Sequence, residues 1–222
     1  TVAMIKDRLY AFSGYQQLNS NAVEQDIWML DLSVPPIIQK WRSLGSYPGL
    51  PRIDMVSAVQ GDGDDEDHIF LFGGKNLASE QVEWIDSTHS RITYKGTPKS
   101  DQSGIDWTRV ADMPLSITPG SAASIGESHI VVFGDQAHEQ RGVVMAYHTV
   151  TDTWLELESI SSTDRGASAL PIENSILFIG DMIQKNENKS NIWKVTFNEK
   201  SPDRSNLALG LVGIYFLGMF LF

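Results

Sequence analysis

Four stretches of the chain share one pattern, a short apolar run that closes on a glycine or another small residue. They are residues 9–14 (LYAFSG), 69–74 (IFLFGG), 130–135 (IVVFGD) and 176–181 (ILFIGD), so the closing positions 14, 74, 135 and 181 are separated by 60, 61 and 46 residues. Self-similarity at that period marks a repeated β unit of roughly 40–50 residues that carries loop insertions. Each run is preceded by a second apolar stretch, at residues 2–5, 55–59, 121–125 and 167–172, and followed by a third, at residues 27–32, 82–85, 143–147 and 192–197. Three of the four units then reach a tryptophan, at Trp41, Trp107 and Trp154, which marks a short fourth strand.

Four strands per unit, joined by Gly, Asp and Ser turns, describe one blade of a β-propeller. The chain is therefore expected to be all-β, with about four radial antiparallel blades over residues 1–200. The fourth unit has no tryptophan after residues 192–197 and is expected to contribute three strands only. A ring of four such units would leave exposed sheet edges, which proteins avoid, so the segment reads as part of a larger propeller.

Charge and composition restrict the partners. The chain carries 28 Asp plus Glu against 17 Lys plus Arg, a net charge of −11, which repels phosphate backbones and argues against nucleic acid. Cysteine is absent, so disulfides, thiolate metal sites and a cysteine nucleophile are excluded together. The five histidines are scattered without an HExxH pair, and no metal is expected. The acidic stretch 61–67 (GDGDDED) has calcium-loop spacing but lacks the final bidentate Glu, and reads as a solvated turn.

The last sixteen residues, 207–222 (LALGLVGIYFLGMFLF), carry no charge. That length falls just short of the roughly 17–25 apolar residues that cross a bilayer. The run reads as the start of a membrane span, reached through a linker at 201–206, with a buried terminal strand or helix as the alternative. Thr1 opens directly into an apolar stretch with no leader, so both ends are expected to lie inside a longer protein.

Residues 147–154 (YHTVTDTW), the paired glycines after the second strand and the Trp107…Met113-Pro114 link resemble the kelch repeat. In that repeat the glycine is expected to allow tight backbone packing near the axis and the tryptophan of the outermost strand to fill the wedge between blades. The tail around residues 213–219 resembles the first transmembrane helix of sodium:solute symporters. Together they are similar to cyclically permuted mutarotases of the N-acetylneuraminate mutarotase type that are fused to sodium symporters. The resemblance implies a six-bladed ring, an acidic sugar such as sialic acid as substrate, and sodium as the coupling ion of the implied symporter. It also implies a propeller on the periplasmic or extracellular side of a membrane.

Chain reversal at each turn brings the strand-two-to-three loops and the strand-four-to-one connections to one rim of the central channel, where ligands bind in this architecture. Candidates there are Arg52, Asp54, residues 135–141, Arg165 and residues 181–184, with Gln16, Gln17, Lys75 and Asn76 in further loops. In the third unit Asp135 stands where the second has Gly74, with Arg141 six residues on. The related mutarotases carry an acid and an Arg at this spacing as catalytic residues, the acid being Glu. Here either Asp135 or Glu139 fills that role, beside Arg141. Mutarotation needs a base for the anomeric hydroxyl and an acid for the ring oxygen; His138 is a candidate acid or simply a solvated loop residue. Arg52, Arg165 and Arg141 are candidates to hold a substrate carboxylate through paired hydrogen bonds. Asp181 is a second rim carboxylate or a turn cap.

Overall fold

The computed structural model describes residues 1–14, 23–76, 89–136, 142–160, 164–173, 175–184, 187–199 and 209–221, of which 119, 158–160, 164–167, 180–184, 187–191, 193, 195, 197–199 and 209–221 are described by backbone alone. Among the described residues, sixteen strands form four antiparallel sheets, each built from four consecutive strands in sequence order. The first holds β1 (Val2–Ile5), β2 (Arg8–Phe12), β3 (Asp26–Asp31) and β4 (Arg42–Ser46). The second holds β5 (Val56–Gln60), β6 (His68–Phe72), β7 (Thr93–Pro98) and β8 (Ile105–Val110). The third holds β9 (Ile117–Ile125), β10 (His129–Gln136), β11 (Gly142–His148) and β12 (Thr153–Ile160). The fourth holds β13 (Asp164–Ile172), β14 (Ser175–Gln184), β15 (Glu187–Glu199) and β16 (Leu209–Leu221). One 3-10 turn, Pro36–Ile38, is the only helical element among the described residues.

The sheets follow one another with their first strands adjacent, β1 beside β5, β5 beside β9 and β9 beside β13, as in consecutive blades of a propeller. Period-two alternation decides what each sheet face buries. In the first sheet Ala3, Ile5, Tyr10, Phe12, Ile27 and Met29 point to the second, where they meet Met55, Ile69 and Leu71. Val56, Phe70 and Phe72 meet Val132, Met145 and Tyr147 of the third. Val131, Phe133 and Val144 meet Ile176 and Phe178 of the fourth. The middle sheets are covered on both sides, so β6 is buried at all five positions, the continuous apolar run expected of a strand with two dry faces.

Two tryptophans fill the wedges between sheets. The Trp107 ring, on β8, meets Phe12 of the first sheet edge-on with centroids 6.1 Å apart. The Trp154 ring, on β12, meets Phe72 of the second at 5.6 Å, and its Nε1 donates to the Ala111 carbonyl at 2.9 Å. The residues resembling a kelch signature make this a clamp: the Tyr147 hydroxyl donates to Asp152 at 2.8 Å, and the same Asp152 oxygen accepts the Ala111 N–H at 2.7 Å. Both backbone groups of Ala111, in the link from the second sheet to the third, are thereby held by the third.

Four expectations are corrected. The third strand of the second sheet is β7, Thr93–Pro98, and not residues 82–85, which lie outside the described residues. Trp41 lies just before β4 and is exposed, filling no wedge. The fourth sheet has four strands rather than three, and the apolar tail supplies the last of them: Leu209–Leu221 pairs with β15 from Lys189↔Leu221 to Glu199↔Leu209. Residues 207–222 were expected to begin a helix; β16 is extended, and no described helix is long and apolar enough to cross a membrane. The physical reason is the open edge of β15, whose backbone donors and acceptors need a partner strand. A run rich in Leu, Ile, Val, Phe and Tyr satisfies them as readily as it would propagate a helix.

Candidate ligand-binding rim

The two kinds of connection do meet. Ile53, in the link from the first sheet to the second, exchanges backbone hydrogen bonds with Lys75, in the loop after β6, at 2.9 and 2.8 Å. Met113, in the next link, donates to the Arg91 carbonyl just before β7 at 2.8 Å. The close approach requires glycine: Gly74 sits at φ +91°, and a Cβ there would lie 2.6 Å from Met55 Cγ and 2.8 Å from the Ile53 carbonyl.

Arg52 is the centre of this junction and is only 3 % exposed. Its backbone N–H donates to the Tyr47 hydroxyl at 2.9 Å, and its carbonyl accepts from Tyr47 and from the Ser13 hydroxyl. Its guanidinium lies over the Tyr94 ring, 5.6 Å from the centroid, and Nη1 donates to the Gly73 carbonyl and to Ser90 Oγ. Nε and Nη2 have no hydrogen-bond partner among the described residues. Burial lowers the Arg52 pKa below its ordinary value, with the phenols of Tyr47 and Tyr94 acting in the opposite direction. A buried guanidinium with two idle donor nitrogens is costly unless an anion or water completes it.

Other idle polar atoms fall at the same end of the sheets. Thr93 Oγ1, at the start of β7, Thr118 Oγ1, at the start of β9, and Gln136 Oε1, at the end of β10, are buried without a partner among the described residues. Gln136 pairs with Ile117 across a register shift that falls between Gly134 and Gln136. Asp135 is the residue at that irregularity, half-buried, and opposite Gly142 on β11. Bulges of this kind re-aim side chains next to functional sites.

The remaining sequence candidates divide into two groups. Arg165 and Asp181 are brought together, as register partners on β13 and β14; their backbones alone are described. His138, Glu139 and Arg141 belong to residues 137–141, and Gln16 and Gln17 to 15–22, all outside the described residues. Sequence reasoning missed Tyr47, Tyr94, Ser90, Thr93 and Thr118, since nothing in their spacing singles them out, whereas Gln136 falls within the 135–141 candidates. No protein-family model matches the chain, and no curated protein matches it in sequence.

Proposed function

We propose that the chain is the sugar-binding part of a propeller enzyme that interconverts the anomers of an acidic sugar, N-acetylneuraminate being the first candidate. The observation that carries this reading is Arg52, a buried guanidinium with Nε and Nη2 idle where the two rim connections meet. Nε and one Nη form the edge that grips a carboxylate through two parallel hydrogen bonds. Thr93, Thr118 and Gln136 offer hydroxyl and amide groups for the neutral part of a sugar. Asp135 supplies a carboxylate at the same end, as the base that takes the anomeric proton, with Glu139 as the alternative. Arg141, Arg165, His138 and Asp181 complete the set as further substrate contacts.

The ring would be completed to six blades by further sheets; coupling to sodium-dependent uptake at a membrane is proposed from the symporter resemblance of residues 213–219 in sequence, a stretch that lies within β16. The competing reading is a non-catalytic module that binds a protein or glycan; the fold serves both. The test is NMR exchange between the anomer signals of N-acetylneuraminate in the presence of the full-length protein. Asp135→Asn is expected to retain binding and slow exchange by roughly 10²–10⁴-fold, the range of one acid–base group. Arg141→Ala is expected to weaken binding and abolish exchange. Exchange at the spontaneous rate with wild-type protein overturns the enzyme reading.

A further inference from the structure

The opposite face of the sheets holds a second cluster with a different chemistry. His68, the first residue of β6, is 2 % exposed. Its Nε2 lies 3.1 Å from Asp62 Oδ1 and 3.1 Å from both carboxylate oxygens of Asp64. The three side chains offer donor atoms that all lie within 4.8 Å of one another. Gly63, at φ +96°, turns the chain between the two aspartates.

From this convergence we propose that Asp62, Asp64 and His68 form a binding site for a divalent transition-metal ion of the zinc class. Metal–nitrogen and metal–oxygen bonds of about 2.0–2.2 Å place adjacent donors of a tetrahedral site roughly 3.3–3.6 Å apart. His68 Nε2 stands 3.1 Å from an oxygen of each aspartate, and the three donor atoms lie within 4.8 Å of one another, close enough to converge on one ion. Partners outside the cluster also hold its groups as metal ligands are held. His68 Nδ1 is bonded to Thr97 Oγ1 at 2.9 Å, which aims Nε2 at the carboxylates. The Lys95 ammonium donates to Asp62 Oδ2, leaving Oδ1 toward the histidine. Outer partners of this kind fix the orientation of histidine and carboxylate ligands. An imidazole beside carboxylates selects zinc, nickel or cobalt over calcium, which takes six to eight oxygens. The ion would tie the β5–β6 turn to β6, a structural clip rather than part of the rim.

The probe is Zn²⁺ alone, titrated calorimetrically into the full-length protein, with Co²⁺ as a spectroscopic substitute. We expect one saturable site, visible Co²⁺ ligand-field absorption and a higher melting temperature with metal. Asp64→Asn, at a half-exposed side chain, should fold normally and weaken binding at least about tenfold; Asp65→Asn should leave affinity unchanged. His129 and His148 form a close pair of imidazoles, with ring centroids 4.4 Å apart, so His148→Asn is the control for binding elsewhere. No saturable uptake, equal affinity in wild type and Asp64→Asn, or loss of binding in His148→Asn alone would each overturn the proposal.

Discussion

Single residues decide how tightly the rim closes. Gly74 adopts a backbone conformation that L side chains rarely take, and a methyl group there would overlap the Ile53 carbonyl that bonds Lys75. Gly74→Ala should therefore cost on the order of 2–3 kcal/mol, combining backbone strain with displacement of the junction. Urea denaturation checks this, and an unchanged midpoint would mean that the junction is looser than its contacts imply. His129 gives a second residue-scale expectation. It is 5 % exposed, with His148 packed edge-on against it, and burial together with the neighbouring imidazole pushes its pKa down from the ordinary 6.5 to about 4. The unfolded chain takes up this proton first, so stability is complete above pH 6.5 and is lost as pH falls toward about 4. The loss between neutral pH and about pH 5 should be on the order of 2 kcal/mol. In His129→Gln, that part of the pH dependence of the denaturation midpoint should disappear.

At the scale of elements, the tryptophans test whether the sheets are joined or merely adjacent. Trp154 fills the wedge between the second and third sheets and holds the Ala111 carbonyl, whereas Trp41 stands in solvent. Trp154→Ala should cost about 3–5 kcal/mol, as for other large aromatic truncations in cores. Trp41→Ala should stay within about 0.5 kcal/mol of wild type. Equal costs in thermal or urea unfolding would show that Trp154 is not a joint. Trp107 behaves like Trp154 for a further local reason: a Cβ at Gly96 would lie 2.6 Å from its ring, so the glycine of β7 makes room for the indole of β8.

For the molecule as a whole, the order of the sheets predicts the order of their stability. The second and third sheets are covered on both faces. The first leaves Val2, Met4 and Trp28 exposed, and the fourth leaves Leu170, Ile172 and Ile179 exposed. Native-state hydrogen exchange should therefore be slowest in β6 and β10 and faster in the first sheet, whose backbone bonds are shielded from one side only. Greater protection in β2 than in β6 would contradict the packing order.

The sequence by itself determined the repeat. The second-strand runs at 9–14, 69–74, 130–135 and 176–181 became β2, β6, β10 and β14, because alternating or continuous apolar residues closed by a turn have few other ways to bury themselves. The glycines beside the junction and the roles of Trp107 and Trp154 were legible for the same local reason. Tertiary structure decided the rest. Thr93–Pro98 (TYKGTP) carries little apolar signal and is a strand because Phe72 and Leu71 pair with it. Residues 207–222 have the composition of a membrane helix, and Leu209–Leu221 form a strand because β15 offers them an unpaired edge. In sequence the 61–67 stretch reads as a solvated turn and His68 as one of five scattered histidines, until chain reversal places one imidazole nitrogen against both carboxylates. Arg52 could be placed at the rim from sequence, but its idle Nε and Nη2 arise from neighbours on two sheets. Local pattern fixes which backbone can pair; only the packed sheets fix which polar groups are left without a partner.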